Sequence, residues 1–120
     1  MAARKRDIID QLTALACRFR DERDWQQFHN PKDMALSLTL EAAELLELMQ
    51  WKNGEELRQH LENKRELLGE ELCDVLYWVL VIANDHDIDL RKAFRDKIKK
   101  NNVKYPIHKS RGRSTKYTEL

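Results

Sequence analysis

RELLGEELCDVLYWVLVIAND, residues 65–85, is the stretch whose reading decides the architecture. Its apolar residues recur at helical spacing, and between residues 72 and 83 they run nearly all the way round the helix. Such a helix needs cover on more than one side. In a chain of 120 residues a single layer of neighbours can hardly supply it, so the expectation is a homo-oligomer that buries this segment on a second side. A helix fully central to the monomer is the alternative. Two acids interrupt the apolar run, Glu71 and Asp74, spaced i,i+3 and sharing a face with Leu67, Val75, Trp78 and Ile82.

An upstream segment repeats the arrangement. Glu41-x-x-Glu44 lies on the same helical stripe as Met34, Leu38, Leu45 and Leu48. Packing the two apolar faces together brings four carboxylates toward one place. Unpaired anions gathered in a bundle repel one another and lose hydration, so they either take up protons or bind a cation. An all-oxygen set of this kind suits a hard ion, Mg2+ above all. Acidic pairs on helices usually mark a solvated face, but here both pairs sit on apolar stripes. Glu47 and Glu70 point well away from the pairs beside them and read as peripheral, with support of the ligands or of a second ion left open to either. A di-iron bundle would require Glu-x-x-His, whereas Glu47 follows Glu44 and Asp74 follows Glu71 at that spacing. The two Cys and four His show no zinc-ligand pattern.

Outward from these segments, every stretch has helical period and none alternates like a strand. A first helix is expected over residues 7–23, with Ile8, Leu12, Leu15 and Phe19 on its apolar side. A connection rich in bulky groups follows (Trp25, Phe28, His29). Asn30-Pro31 opens the second helix as cap and first turn, and Asn53-Gly54 is expected to close it after about residue 51. Residues 55–64 read as a short helix or an extension of the next. Asp87 or Asp89 caps a basic helix reaching about residue 102, ended by Tyr105-Pro106. The reading is an all-α four-helix bundle over residues 1–107, with a basic C-terminal tail at 108–120.

The bulk numbers exclude more than they assert. Basic and acidic residues number 22 and 21, a net charge of +1, which steers the chain toward neither nucleic acid nor membrane. Residues 1–10 contain no apolar leader segment, and the longest apolar run, residues 75–83, is too short to cross a bilayer. Cys17 and Cys73 lie in apolar helical context with no CxxC spacing and read as reduced core thiols, which fits a cytoplasmic protein, with the nucleus left open.

Three Trp and a basic helix complete the candidates. Trp78 is most simply core. Trp25 and Trp51 stand at helix ends beside polar residues, where a flat ring either lids the core or stacks on a nucleobase. His29 is placed either to cap Asn30-Pro31 or to donate to a base or phosphate. Lys97, Asn101 and Lys104 share one face of the fourth helix, either a solvated basic face or cations facing phosphoryl oxygens.

Taken in order, Arg23-Asp24-Trp25-x-Gln27-Phe28-His29-x-Pro31, Glu41-x-x-Glu44-Leu45-x-Glu47-Leu48-x-Gln50-Trp51-Lys52, and Glu70-Glu71-Leu72-x-Asp74-Val75-Leu76 resemble the MazG-type all-α nucleoside triphosphate pyrophosphohydrolases, and more finely their dCTP pyrophosphatase branch. Lys97-x-x-x-Asn101-x-x-Lys104-Tyr105-Pro106 and Ser114-x-Lys116-Tyr117-Thr118-Glu119-Leu120 extend the resemblance over nearly the whole chain. The resemblance implies a Mg2+-dependent enzyme that cleaves a dNTP between its α and β phosphates, dCTP or a 5-modified dCTP giving dCMP and pyrophosphate in nucleotide-pool sanitation. It implies Glu41, Glu44, Glu71 and Asp74 as metal ligands and catalytic groups, and Trp25, His29 and Trp51 as base pocket. Trp78, next to Tyr77, departs from some relatives and sets the bulk near the site, which leaves the preferred pyrimidine open. Lys97 and Asn101 would hold phosphate or sugar, and the assembly would be a homotetramer built as a dimer of dimers. Two alternatives stand beside this reading: a dUTPase-like or broad dNTP pyrophosphatase, and a non-enzymatic helical interaction module whose acidic pairs bind the basic helix.

Overall fold

The computed structural model describes residues 6–120, so the first five residues of the stretch read for a leader lie outside the described residues. The fold is all-α: α1 (Ile8–Asp21), α2 (Pro31–Met49), α3 (Gly54–Asn63), α4 (Arg65–Asp85), α5 (Leu90–Lys104) and a short α6 (Ile107–Ser110), with single 3-10 turns at Gln26–Phe28 and Tyr117–Glu119. The four expected long helices are all there, α3 is the short helix that residues 55–64 suggested, and α6 adds another. Among the described residues there is no strand.

Local chemistry explains three of the helix starts. Asp7 caps α1 in a reciprocal box: its carboxylate accepts from the Asp10 amide at 3.1 Å while the Asp10 carboxylate accepts from the Asp7 amide at 3.4 Å. Asn30 accepts from the Asp33 amide at 2.9 Å, and Pro31 supplies a first helical position that needs no N–H. Asp89 caps α5 through the Arg91 amide at 3.1 Å.

One boundary differs from expectation. Asn53-Gly54 does not close α2. That helix stops at Met49, Trp51 takes the left-handed turn at φ 70°, and Asn53 opens α3 with Gly54 at φ 53°. A residue with a Cβ thus occupies the position usually reserved for glycine, which hid the stop from a reading based on composition.

The chain forms two compact units, one ending at His86 and one spanning Asp87–Leu120. In the first, α4 lies along α2 and α1, and the buried core is Ala16, Met34 and Val81, one residue from each helix, with Tyr77, Trp78 and Ile82 packed against it. In the second, the stretch expected as a tail folds back on the end of α5. Tyr117 sits edge-on to Tyr105 at 5.8 Å, and the Lys104 ammonium lies 4.8 Å from the Tyr117 ring centre. Among the described residues no helix is long and apolar enough to cross a membrane.

Candidate active site

Helices α2 and α4 bring the two acidic pairs together. Glu41, Glu44, Glu71 and Asp74 each offer an oxygen, and these oxygens all lie within 4.8 Å of one another. Glu41 and Glu71 are half-buried while Glu44 and Asp74 are exposed, so the cluster is walled on one side and open on the other. One oxygen of Glu41 and one of Glu71 (Oε2 in each) are buried with no hydrogen-bond partner. Among the described residues of the first unit, no lysine or arginine forms an ion pair with any of the four.

Electrostatics follow from that geometry. Burial pushes the Glu41 carboxyl above its ordinary range, and the nearness of Glu44, then Asp74 and Glu71, pushes it further. Glu71 is raised in the same way, by burial first and then by Glu44 and Asp74. Orphaned oxygens and mutual repulsion are what a bound dication relieves, and an all-carboxylate set fits a hard one such as Mg2+.

Beside the carboxylates lies an apolar cavity of about 540 Å³ between α1 and α4. Leu12, Leu15 and Phe19 wall one side; Leu76, Tyr77 and Trp78 wall the other. Trp25 lines it too, as do Glu41 and Asp74, so one space is shared by the rings and the carboxylate cluster. The rings brace one another edge to face: Phe19 against Trp25 at 5.7 Å, Phe19 against Tyr77 at 6.1 Å, and Tyr77 against Trp78 at 5.1 Å. The volume falls in the usual range for a small-molecule site. Flat rings can hold a planar base while a metal-loaded acidic end meets anionic oxygens.

The other expected residues divide. Trp25, 43% exposed, and Trp78 both face the cavity. His29 stands behind Trp78 with ring centres 5.1 Å apart, its Nδ1 buried without a partner. Burial and the nearby Arg20 charge hold His29 below its usual pKa, which keeps it neutral. Trp51 is 88% exposed on the turn after α2 and does not line the cavity in the single chain. Lys97 and Asn101 lie on α5 in the second unit, the first exposed and the second half-buried. Glu47 and Glu70 are exposed and outside the cluster.

Sequence reasoning missed Phe19 and Tyr77 as cavity walls and missed a buried charge, Arg20. The first two were legible only as core aromatics. Arg20 had a signal: it continues the Ile8, Leu12, Ala16 repeat at i+4, where a cation demands a buried acid.

Comparison with known proteins gives one consistent picture. The model of the MazG-like family matches residues 36–120. The chain is similar to dCTP pyrophosphatase 1 of Bos taurus, 40% identical over 114 residues covering 93% of this chain and 68% of that protein. The Homo sapiens dCTP pyrophosphatase 1 is 41% identical over 114 residues, again 93% of this chain and 67% of that protein. Among solved structures, a pyrophosphatase from Archaeoglobus fulgidus superposes with a TM-score of 0.80 at 34% identity, covering 88% of this chain and 99% of the other.

Proposed function

The chain belongs to the MazG-like family, and we propose that it hydrolyses dCTP, or a 5-modified dCTP, to dCMP and pyrophosphate with Mg2+ held by Glu41, Glu44, Glu71 and Asp74. It is an enzyme, a dNTP pyrophosphohydrolase. The observation that carries the finer reading is the single space in which an aromatic-walled cavity meets four converging carboxylates with two orphaned oxygens.

The residues divide the work. Trp25 and Trp78 sandwich or edge the base, and His29 behind Trp78 stays neutral, as suits a group near an uncharged pyrimidine. The four carboxylates hold the metal, which when bound neutralises phosphoryl charge and polarises the phosphorus under attack. A water oxygen bonds to Pα, the Pα–O bond to the β phosphate breaks, and pyrophosphate leaves with that oxygen. Glu44, the more exposed of its pair, or Glu41 orients this water and takes its proton. Lys97 and Asn101 on α5 are the proposed phosphate or sugar contacts, and Trp51 the proposed further ring of the base pocket.

Exposed leucines support a homotetramer: Leu36, Leu40 and Leu46 on α2 and Leu72 on α4 leave an apolar surface on the isolated chain. The two thiols are free, Cys17 half-buried and Cys73 exposed rather than both in the core, and fit a cytoplasmic location. The test is a panel of dNTPs and NTPs incubated with and without Mg2+, products separated by ion exchange. dCMP and pyrophosphate formed only with Mg2+, fastest from dCTP, is the expected result. Preferential dUMP formation would move the chain to a dUTPase-like role, and no turnover of any nucleotide would leave the reading without support.

A further inference from the structure

Arg20 is the most deeply buried charged side chain among the described residues, 2% exposed. Its Nη1 donates to Asp85 Oδ2 at 2.8 Å, and Asp85 is itself largely covered. The pair lies one turn beyond the core on each helix: Arg20 follows Ala16 on α1 and Asp85 follows Val81 on α4, both at i+4. These are the two helices whose faces wall the cavity. Burying a guanidinium is a poor way to gain stability, because well-packed apolar residues in its place are often neutral or better. What the planar guanidinium adds is direction: its rigid fork fixes how the two helices meet.

The same residue also governs two of the cavity rings. The Arg20 carbonyl accepts from the Trp25 amide at 3.1 Å and the Arg23 amide at 3.2 Å, so the turn carrying Trp25 hangs from it, with Asp24 left-handed at φ 54°. His29, which braces Trp78 from behind, feels the charges of both Arg20 and Asp85.

We infer that the Arg20–Asp85 pair is a clamp that sets the separation of α1 and α4, and with it the width of the cavity between Phe19 and Trp25 on one side and Tyr77 and Trp78 on the other, making both residues positioning residues for base selection. The inference rests on the nucleotide-hydrolase reading above. Neither residue belongs to the carboxylate cluster, so metal binding and the chemical step do not depend on the pair.

The experiment compares the wild-type protein with the double variant Arg20→Met/Asp85→Leu, which removes both charges and keeps apolar volume. Each is assayed with dCTP and with dATP at saturating Mg2+, alongside melting and Mg2+ affinity. The expected result is a melting temperature at or above the wild type, unchanged Mg2+ affinity, and kcat for dCTP within about twofold. KM for dCTP rises roughly tenfold and the preference for dCTP over dATP falls about tenfold, since a misplaced wall weakens fit without touching the reacting atoms. If the double variant does not fold, Arg20→Lys, which keeps the charge but loses the fork, carries the same comparison with a smaller change in the same direction. Unchanged base preference in a folded variant overturns the clamp, as does an equal loss of kcat on both nucleotides or a wild type without preference. A wild type that turns over no triphosphate overturns the functional reading itself, and the selection role with it.

Discussion

Two groups of carboxylates sit on helices of the same unit, each with a charged neighbour at i,i+3, and have opposite electrostatics. On α3, Glu55 and Glu62 flank Arg58, whose Nη1 donates to Glu62 at 2.6 Å and whose Nε donates to Glu55 Oε2 at 2.9 Å. That guanidinium holds the Glu55 carboxyl below its usual pKa. On α2 and α4, each acid finds acids: Glu44 at i+3 from Glu41, Asp74 at i+3 from Glu71, and each pair facing the other. There the shifts run upward. A helical i,i+3 spacing therefore says only that two side chains meet. The partner's sign, and whether the stripe is apolar, decide whether the meeting is a solvated ion pair or an ion site.

The strongest way to break the comparison is to remove one member of each group. Glu71→Gln is expected to lower kcat/KM at least about 100-fold, more than loss of a residue that merely supports a metal ligand. The same variant without metal is expected to melt higher than the wild type at pH 7.5, because one of four repelling charges is gone. A lower melting point for the metal-free variant would mean that Glu71 is paired in solution and the contrast with α3 is false.

A second test sharpens the sign. Glu41 and Glu71 have folded-state pKa values above the usual 4.5, so the folded protein binds protons more tightly than the unfolded chain. Without metal, stability is therefore greatest below about pH 4.5, as far as these two groups set it, and falls as pH rises through their raised pKa values. Mg2+ competes with those protons, so its stabilisation grows with pH. The expected thermal shift on adding Mg2+ is roughly 5 °C or more at pH 7.5 for a concentration about 100-fold over Kd, and much less at pH 5. A shift as large at pH 5 would place the ion elsewhere.

The smallest effect is predicted for the control. Glu55→Gln leaves turnover unchanged and moves melting by about 1 °C or less, since exposed ion pairs contribute little. Measured turnover of this variant alongside Glu71→Gln completes the comparison.

Much of this was legible in the chain. The α4 limits, the caps at Asn30 and Asp89, and the convergence of Glu41, Glu44, Glu71 and Asp74 all follow from local chemistry and helical period. The stop of α2 was not, because Trp51 rather than a glycine turns left-handed there. Nor was the pocket: Leu12, Leu15 and Phe19 carry the same periodic signal whether they meet a neighbouring side chain or line a cavity.

Sequence alone therefore determined that this protein is helical and that two acidic pairs ride on apolar faces, since both are matters of residues within a turn or two of each other. Tertiary structure alone decided that no cation among the described residues of their own unit pairs with the converging acids, and that rings from α1, α4 and the turn at Trp25 enclose one space beside them. It also decided that Arg20 finds Asp85 across a separation of 65 residues. Those outcomes depend on how far apart and at what angle helices come to rest, and that is set by the whole core at once, from Ala16 to Met34 to Val81.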